Sequence, residues 1–139
     1  MAGIVIDLVN DVTSNNNIRP QTIAATTQGS SADFTNCEIS TNAILDVGAV
    51  GANSTSLTVQ IEESADGSTN WAAIPGMIIN AVTTSNQHQV VRGLRTHRYV
   101  RANAVTVAGT TPSFALSVEI IAQQKFTGTG GGYSRLPSS

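Results

Sequence analysis

The chain has 139 residues, a formal net charge of -2 and 12% charged residues. That length makes one domain, and the acidic balance argues against a general nucleic-acid binder, which is normally basic. Cys37 is the single cysteine, so an intrachain disulfide and a multi-cysteine zinc site are both excluded.

In chain order, the opening MAGIVIDLVNDVT lacks the basic region and long apolar stretch of a signal peptide. No apolar run approaches the ~20 residues of a membrane helix. Synthesis in a cytoplasm, without a membrane partner, is the expectation. Period-two alternation then dominates. It is weak over residues 4–9, 22–27, 43–50 and 99–107, and strong where Leu57, Val59 and Ile61 alternate with Thr58, Gln60 and Glu62. It is strong again where Phe114, Leu116, Val118 and Ile120 alternate with Ala115, Ser117 and Glu119. Successive strand side chains point to opposite faces, so each run offers one apolar face to a core. The turn-forming clusters GANSTS (51–56), SADGST (64–69) and AGTTPS (108–113) separate the runs. Many short strands without a helical segment predict an all-β fold, an antiparallel β-sandwich.

Residues 46–62, DVGAVGANSTSLTVQIE, align with residues 103–119, NAVTVAGTTPSFALSVE, so that Leu57, Val59, Ile61 and Glu62 fall on Phe114, Leu116, Val118 and Glu119. Few identities support a true repeat, and hairpin chemistry reached twice accounts for it. Both segments are expected to be strand, small-residue turn, strand. The last stretch, KFTGTGGGYSRLPSS, holds four glycines between 128 and 132, which prevent regular structure. The expected organisation is therefore a sandwich over residues 1–124 and an extended, flexible arm over 125–139. In that arm Phe126, Tyr133 and Leu136 are apolar anchors, and Lys125 and Arg135 are its charges.

The adjacent carboxylates Glu62 and Glu63 invite a catalytic reading. On a strand they project to opposite faces and cannot converge on one glycosidic bond. Glu62 is expected to face solvent and Glu63 to end the strand beside a turn made by Asp66-Gly67. Trp71 then opens the return arm of a hairpin. Asp66, Ser68 and Asn70 alternate like cation ligands, but one carboxylate compensates a dication poorly. His88 and His97 have no third ligand at metal spacing. No nucleophile elbow or phosphate-binding loop occurs, and no helical pattern follows residues 130–132. No catalytic, cofactor-binding or metal-ligating residue is assigned, and no cofactor or small-molecule substrate is expected.

The one dense charge feature is RGLRTHRYVR, with Arg92, Arg95, Arg98 and Arg101 among the seven basic residues of the chain. These arginines either pair with acids on neighbouring strands or form a patch that docks on an acidic surface, protein or nucleic acid. If residues 98–105 are a strand, Arg98 and Tyr99 lie on opposite faces, so the four cannot share one surface. As candidate partner contacts they stand with Lys125, Phe126, Tyr133, Arg135 and Leu136.

Together, LTVQIEESADGSTNWAAIPG and RYVRANAVTVAGTTPSFALSVEII resemble small structural proteins of tailed bacteriophages. The matching residues are Val59, Ile61, Glu63, Ser64, Asp66, Gly67, Ser68, Trp71, Ile74 and Pro75, then residues 98–101, then Gly109, Thr110, Pro112, Ser113 and Phe114. The likeness covers roughly residues 34 to 124. It implies a β-sandwich of jelly-roll-like or Ig-like topology, without a catalytic centre, serving as a head decoration (cement) protein or another minor virion component. The implied partners are the major capsid protein and the chain itself, as a homotrimer, on the capsid exterior of the virion, with no nucleic acid or membrane. The alternatives are a tail, neck or baseplate component on the same sandwich, and a carbohydrate-binding module with Trp71 and Tyr99 as its platform. The aromatic content of 4% is thin for the latter.

Overall fold

The structure, a computed structural model, describes residues 12–125, apart from the side chains of residues 80 and 81. The described residues form nine strands and no helix. These are β1 (Val12–Ile23), β2 (Thr27–Gln28), β3 (Ala32–Asp33), β4 (Cys37–Val50), β5 (Ser54–Ser64), β6 (Ala72–Val82), β7 (Gln87–Leu94), β8 (Tyr99–Gly109) and β9 (Phe114–Gln124). All pair antiparallel, in two sheets ordered β1-β9-β4-β7 and β2-β8-β5-β6, with β3 also on β8.

Thr27 lies opposite Ala104 and Ala32 opposite Val100, so β2 and β3 are two pieces of one interrupted strand. Counted as one, they complete two facing four-stranded sheets with the strand order of a jelly roll. Of the two expected sandwich topologies, the chain adopts this one rather than the Ig-like one. Its core lies between the sheets. The inward residues of the strong runs, Leu57, Val59, Ile61, Phe114, Leu116, Val118 and Ile120, are all buried, opposed by Leu45, Ile74, Met77, Ile79 and Val100. Each large aliphatic chain so buried stabilises the fold by roughly 1.5–3 kcal/mol.

The two aligned segments share a role that hairpin chemistry does not describe. β4 to β5 and β8 to β9 are not hairpins, because each bend carries the chain from one sheet to the other. The bends lie side by side. The Gly51 N–H donates to the Ser113 carbonyl at 2.8 Å and the Thr110 N–H to the Asn53 carbonyl at 3.1 Å. Ser54 Oγ accepts from the Ser113 N–H at 2.9 Å.

At the β1 edge a side chain joins the sheets. Residues 29–31 break the ladder between β2 and β3, and Asn17 of β1 reaches into the gap. Its Oδ1 accepts the Ala102 N–H at 2.7 Å and its Nδ2 donates to the Ser30 carbonyl at 2.8 Å. A Cβ on Gly29 would stand 1.8 Å from that oxygen, so the gap requires glycine.

One expectation needs revision. Residues 22–27 are not a strand, because the chain leaves β1 at Ile23 and bends before pairing again at Thr27. The strand expected over residues 4–9 lies outside the described residues, as does the arm beyond Lys125.

Candidate interaction surface

The β5–β6 hairpin closes on its own side chains. Gly67 takes φ +75°, a left-handed conformation that glycine adopts without steric cost. Asp66 accepts the N–H groups of Ser68 at 2.9 Å and Thr69 at 2.8 Å. Ser64 Oγ donates to the Thr69 carbonyl at 2.6 Å and accepts the Gly67 N–H at 3.1 Å. The Thr69 hydroxyl, followed by the Thr69 and Ser68 amides, holds the Asp66 carboxyl far below the usual carboxylate range. Those oxygens are committed to their own turn. Among the described residues, no group of three or more His, Cys, Asp and Glu is placed to hold a metal ion.

Glu62 and Glu63 do turn to opposite faces, but Glu62 does not face solvent. It is 4% exposed, because β5 is flanked by β6 and β8 and longer side chains roof it. Arg101 Nε reaches Glu62 at 2.8 Å and Asn103 Nδ2 donates to it at 2.9 Å. The Arg101 guanidinium lies 4.3 Å from the centroid of the Trp71 ring. Burial pushes the Glu62 carboxyl up, but hydrogen bonds from Asn103, Gln60 and Arg101 outweigh it and leave it below its ordinary value. Glu63 accepts the Thr96 N–H at 2.6 Å, the His97 N–H at 2.9 Å and the Thr96 hydroxyl at 2.8 Å. It anchors the bend between β7 and β8. Its carboxyl is likewise raised by burial and lowered further by the His97 and Thr96 donors.

The four arginines separate. Arg95 is buried, which removes it as a partner contact. Its guanidinium donates to the carbonyls of Phe34 at 2.7 Å, Cys37 at 2.6 Å, His97 at 2.8 Å and Glu38 at 3.2 Å. The sequence offered neighbouring acids as partners, whereas backbone carbonyls of the 34–38 segment and of His97 take its terminal amino groups, and its buried Nε is without a partner among the described residues. Arg101 is held by Glu62. Arg98 pairs with exposed Asp33, Nε to Oδ1 at 3.2 Å, and covers the Tyr99 ring at 4.7 Å. The Arg98 hydrogen bond lowers the Asp33 carboxyl below its ordinary value. Trp71 and Tyr99 therefore each carry a guanidinium on one ring face. Arg92 is exposed and its side chain makes no hydrogen bond or ion pair among the described residues. Lys125 is exposed too, its N–H donating to the Asn36 carbonyl at 2.8 Å. Phe126, Tyr133, Arg135 and Leu136 lie outside the described residues.

Sequence reasoning missed one surface. β7 alternates inward Gln87, Gln89, Val91 and Gly93 with outward His88, Val90, Arg92 and Leu94. Val90 is 56% exposed and Leu94 63%. The same outer face includes Asn42, Ile44 and Asp46 of β4 and Glu119 and Ile121 of β9. His88 Nδ1 meets Asp46 Oδ1 there at 2.6 Å, so the two histidines serve different places, His97 lending its backbone N–H to Glu63.

No family model matches the chain, and no curated protein matches it. Among solved structures, the crystal structure of the SPBc2 prophage-derived protein YomS is similar, with 14% sequence identity over 86% of this chain and 99% of that chain and a TM-score of 0.49. A likeness at that level carries no argument about function.

Proposed function

We propose that this chain is a structural protein of a tailed-bacteriophage virion, of the head decoration (cement) kind, which binds the assembled shell and acts by adhesion rather than catalysis. One observation carries the reading. Most of the residues through which the sequence resembles such proteins interlock at one end of the β5–β8 pair, while Gly109, Thr110, Pro112, Ser113 and Phe114 form the bend at its other end. Glu63 anchors the 95–97 bend, Ser64 and Asp66 shape the turn, Trp71 stacks on Arg101, and Val59, Ile61 and Ile74 are core. A likeness built from coupled parts is harder to reach by chance than one built from scattered apolar positions. The jelly roll is an architecture that capsid proteins use, and so do lectins, which is why the fold by itself does not decide.

On this reading the major capsid protein is the partner. A protein that binds the assembled shell and not its separated subunits stabilises the shell by mass action. The experiment is to add purified protein to expanded empty heads that lack it. Saturable binding and a raised shell melting temperature are expected. Absence of binding to heads, with immunolabel confined to tails, would move the protein to the other end of the particle.

A further inference from the structure

On the outer face of the β9, β4 and β7 strands, Val90 lies opposite Ile44, and Ile44 opposite Glu119. One row along, Arg92 lies opposite Asn42, and Asn42 opposite Ile121. Residues two apart on a strand share a face, so these six side chains form one surface, extended by exposed Leu94. A single exposed apolar residue is ordinary. Several on adjacent strands around two charges mark an interaction site.

The charges say what fits. Arg92 and Glu119 stand on opposite sides of β4, one row apart, and neither side chain makes an ion pair or hydrogen bond among the described residues. β4 separates their strands by two spacings, about 10 Å. Of the other charges on this side of β4, Asp46 and His88 already pair with each other, and Glu38 lies four residues from Asn42, off these two rows. A surface with one unpaired cation and one unpaired anion disposed about a central point is complementary to itself, which a two-fold interface requires.

We propose that this face is a self-association surface, on which a second copy of the chain docks about a two-fold axis over β4, between Asn42 and Ile44, so that Arg92 of each copy meets Glu119 of the other. The axis brings both ion pairs together at once. Val90 of each copy then packs near Ile44 of the other, between the two pairs. An acidic partner would satisfy Arg92 but leave Glu119 facing like charge, and a basic partner would do the reverse. The inference does not depend on the shell reading, because it concerns the protein alone in solution.

Sedimentation equilibrium on the full chain tests it, with Arg92→Glu, Glu119→Arg and the double reversal. The wild type should dimerise with concentration, and either reversal should weaken the dimer by about tenfold or more, since like charges then face each other. The double reversal should restore it. Glu119→Gln, which keeps the side-chain shape, should weaken association as well and guards against misfolding of Glu119→Arg. A wild-type monomer at all concentrations, a trimer indifferent to Arg92→Glu, or a double variant no better than either single one would overturn the proposal.

Discussion

At the β5–β6 end of the molecule, carboxylates and guanidinium groups are turned inward and partnered: Glu62 with Arg101 and Asn103, Glu63 with the 96–97 amides, Arg95 with four carbonyls. On the outer face of β4 and β7, Arg92 and Glu119 sit unpaired beside exposed Val90 and Leu94. Arg92 and Arg95 are three residues apart and belong to opposite regimes. The position of the backbone separates them. Arg95 follows the end of β7, where the chain turns inward toward the 34–38 segment, whereas Arg92 is an outward residue of a strand at the end of its sheet. Sequence density of charge therefore says little about a shared surface. In the first region charge is spent on holding a bend, and in the second it is left for a partner.

The sharpest way to break this contrast is Arg95→Met, which keeps bulk but abandons four carbonyls in a buried place. It should cost at least about 3 kcal/mol in urea unfolding. A loss below about 1 kcal/mol would mean that the inward network holds nothing. Glu63→Gln is gentler, since the amide keeps the shape but cannot accept three donors as a carboxylate does. About 1–2 kcal/mol of destabilisation is expected by the same measurement.

Acid titration probes the same network without mutation. Glu62 and Glu63 both titrate below the ordinary glutamate value of 4.5 when folded. Their contribution is therefore complete above that value and is lost as pH falls through their lowered folded values. Melting temperature should show no loss from these groups between pH 7 and 5 and decline below 4.5, and Glu63→Gln should have the shallower decline. An equal slope in both proteins would remove Glu63 from the account.

The smallest effect on stability is expected on the other side of the comparison. Val90→Ser and Leu94→Ser should each change unfolding free energy by no more than about 0.5 kcal/mol, because both side chains are already in water. Their effect should be on association, read by sedimentation. A large stability loss would show that this face is part of the core after all.

How much of this was legible in the sequence follows from where each strand sits. β5, β8 and β9 have a neighbour on either side, and β5 and β9 read as clean alternation with every predicted inward residue buried. The edge strands did not read. β1 contains Pro20 and a run of asparagines, and slips register at two places along β9. β6 contains Pro75 and Gly76 and also slips. An edge strand has one side free of ladder bonds, so it tolerates proline and bulges that would break a central one. β7 was hidden differently, Val90 and Leu94 facing outward and Gln87 and Gln89 inward. Burial of Glu62 was invisible for a further reason, since its roof comes from Arg101 and Asn103, some forty residues away.

Asn17 has a consequence for the order in which the sandwich is assembled. Its amide stands where a backbone group of the missing strand segment would, so β1 cannot complete its bonding until β8 is already in place, 85 residues further along the chain. Closing contacts of such separation are slow, because their loop entropy is spent before the contact returns anything. The seam at Asn17, Gly29 and Ala102 should accordingly close late in folding, and substitution there should chiefly quicken unfolding while leaving the folding rate near that of the wild type.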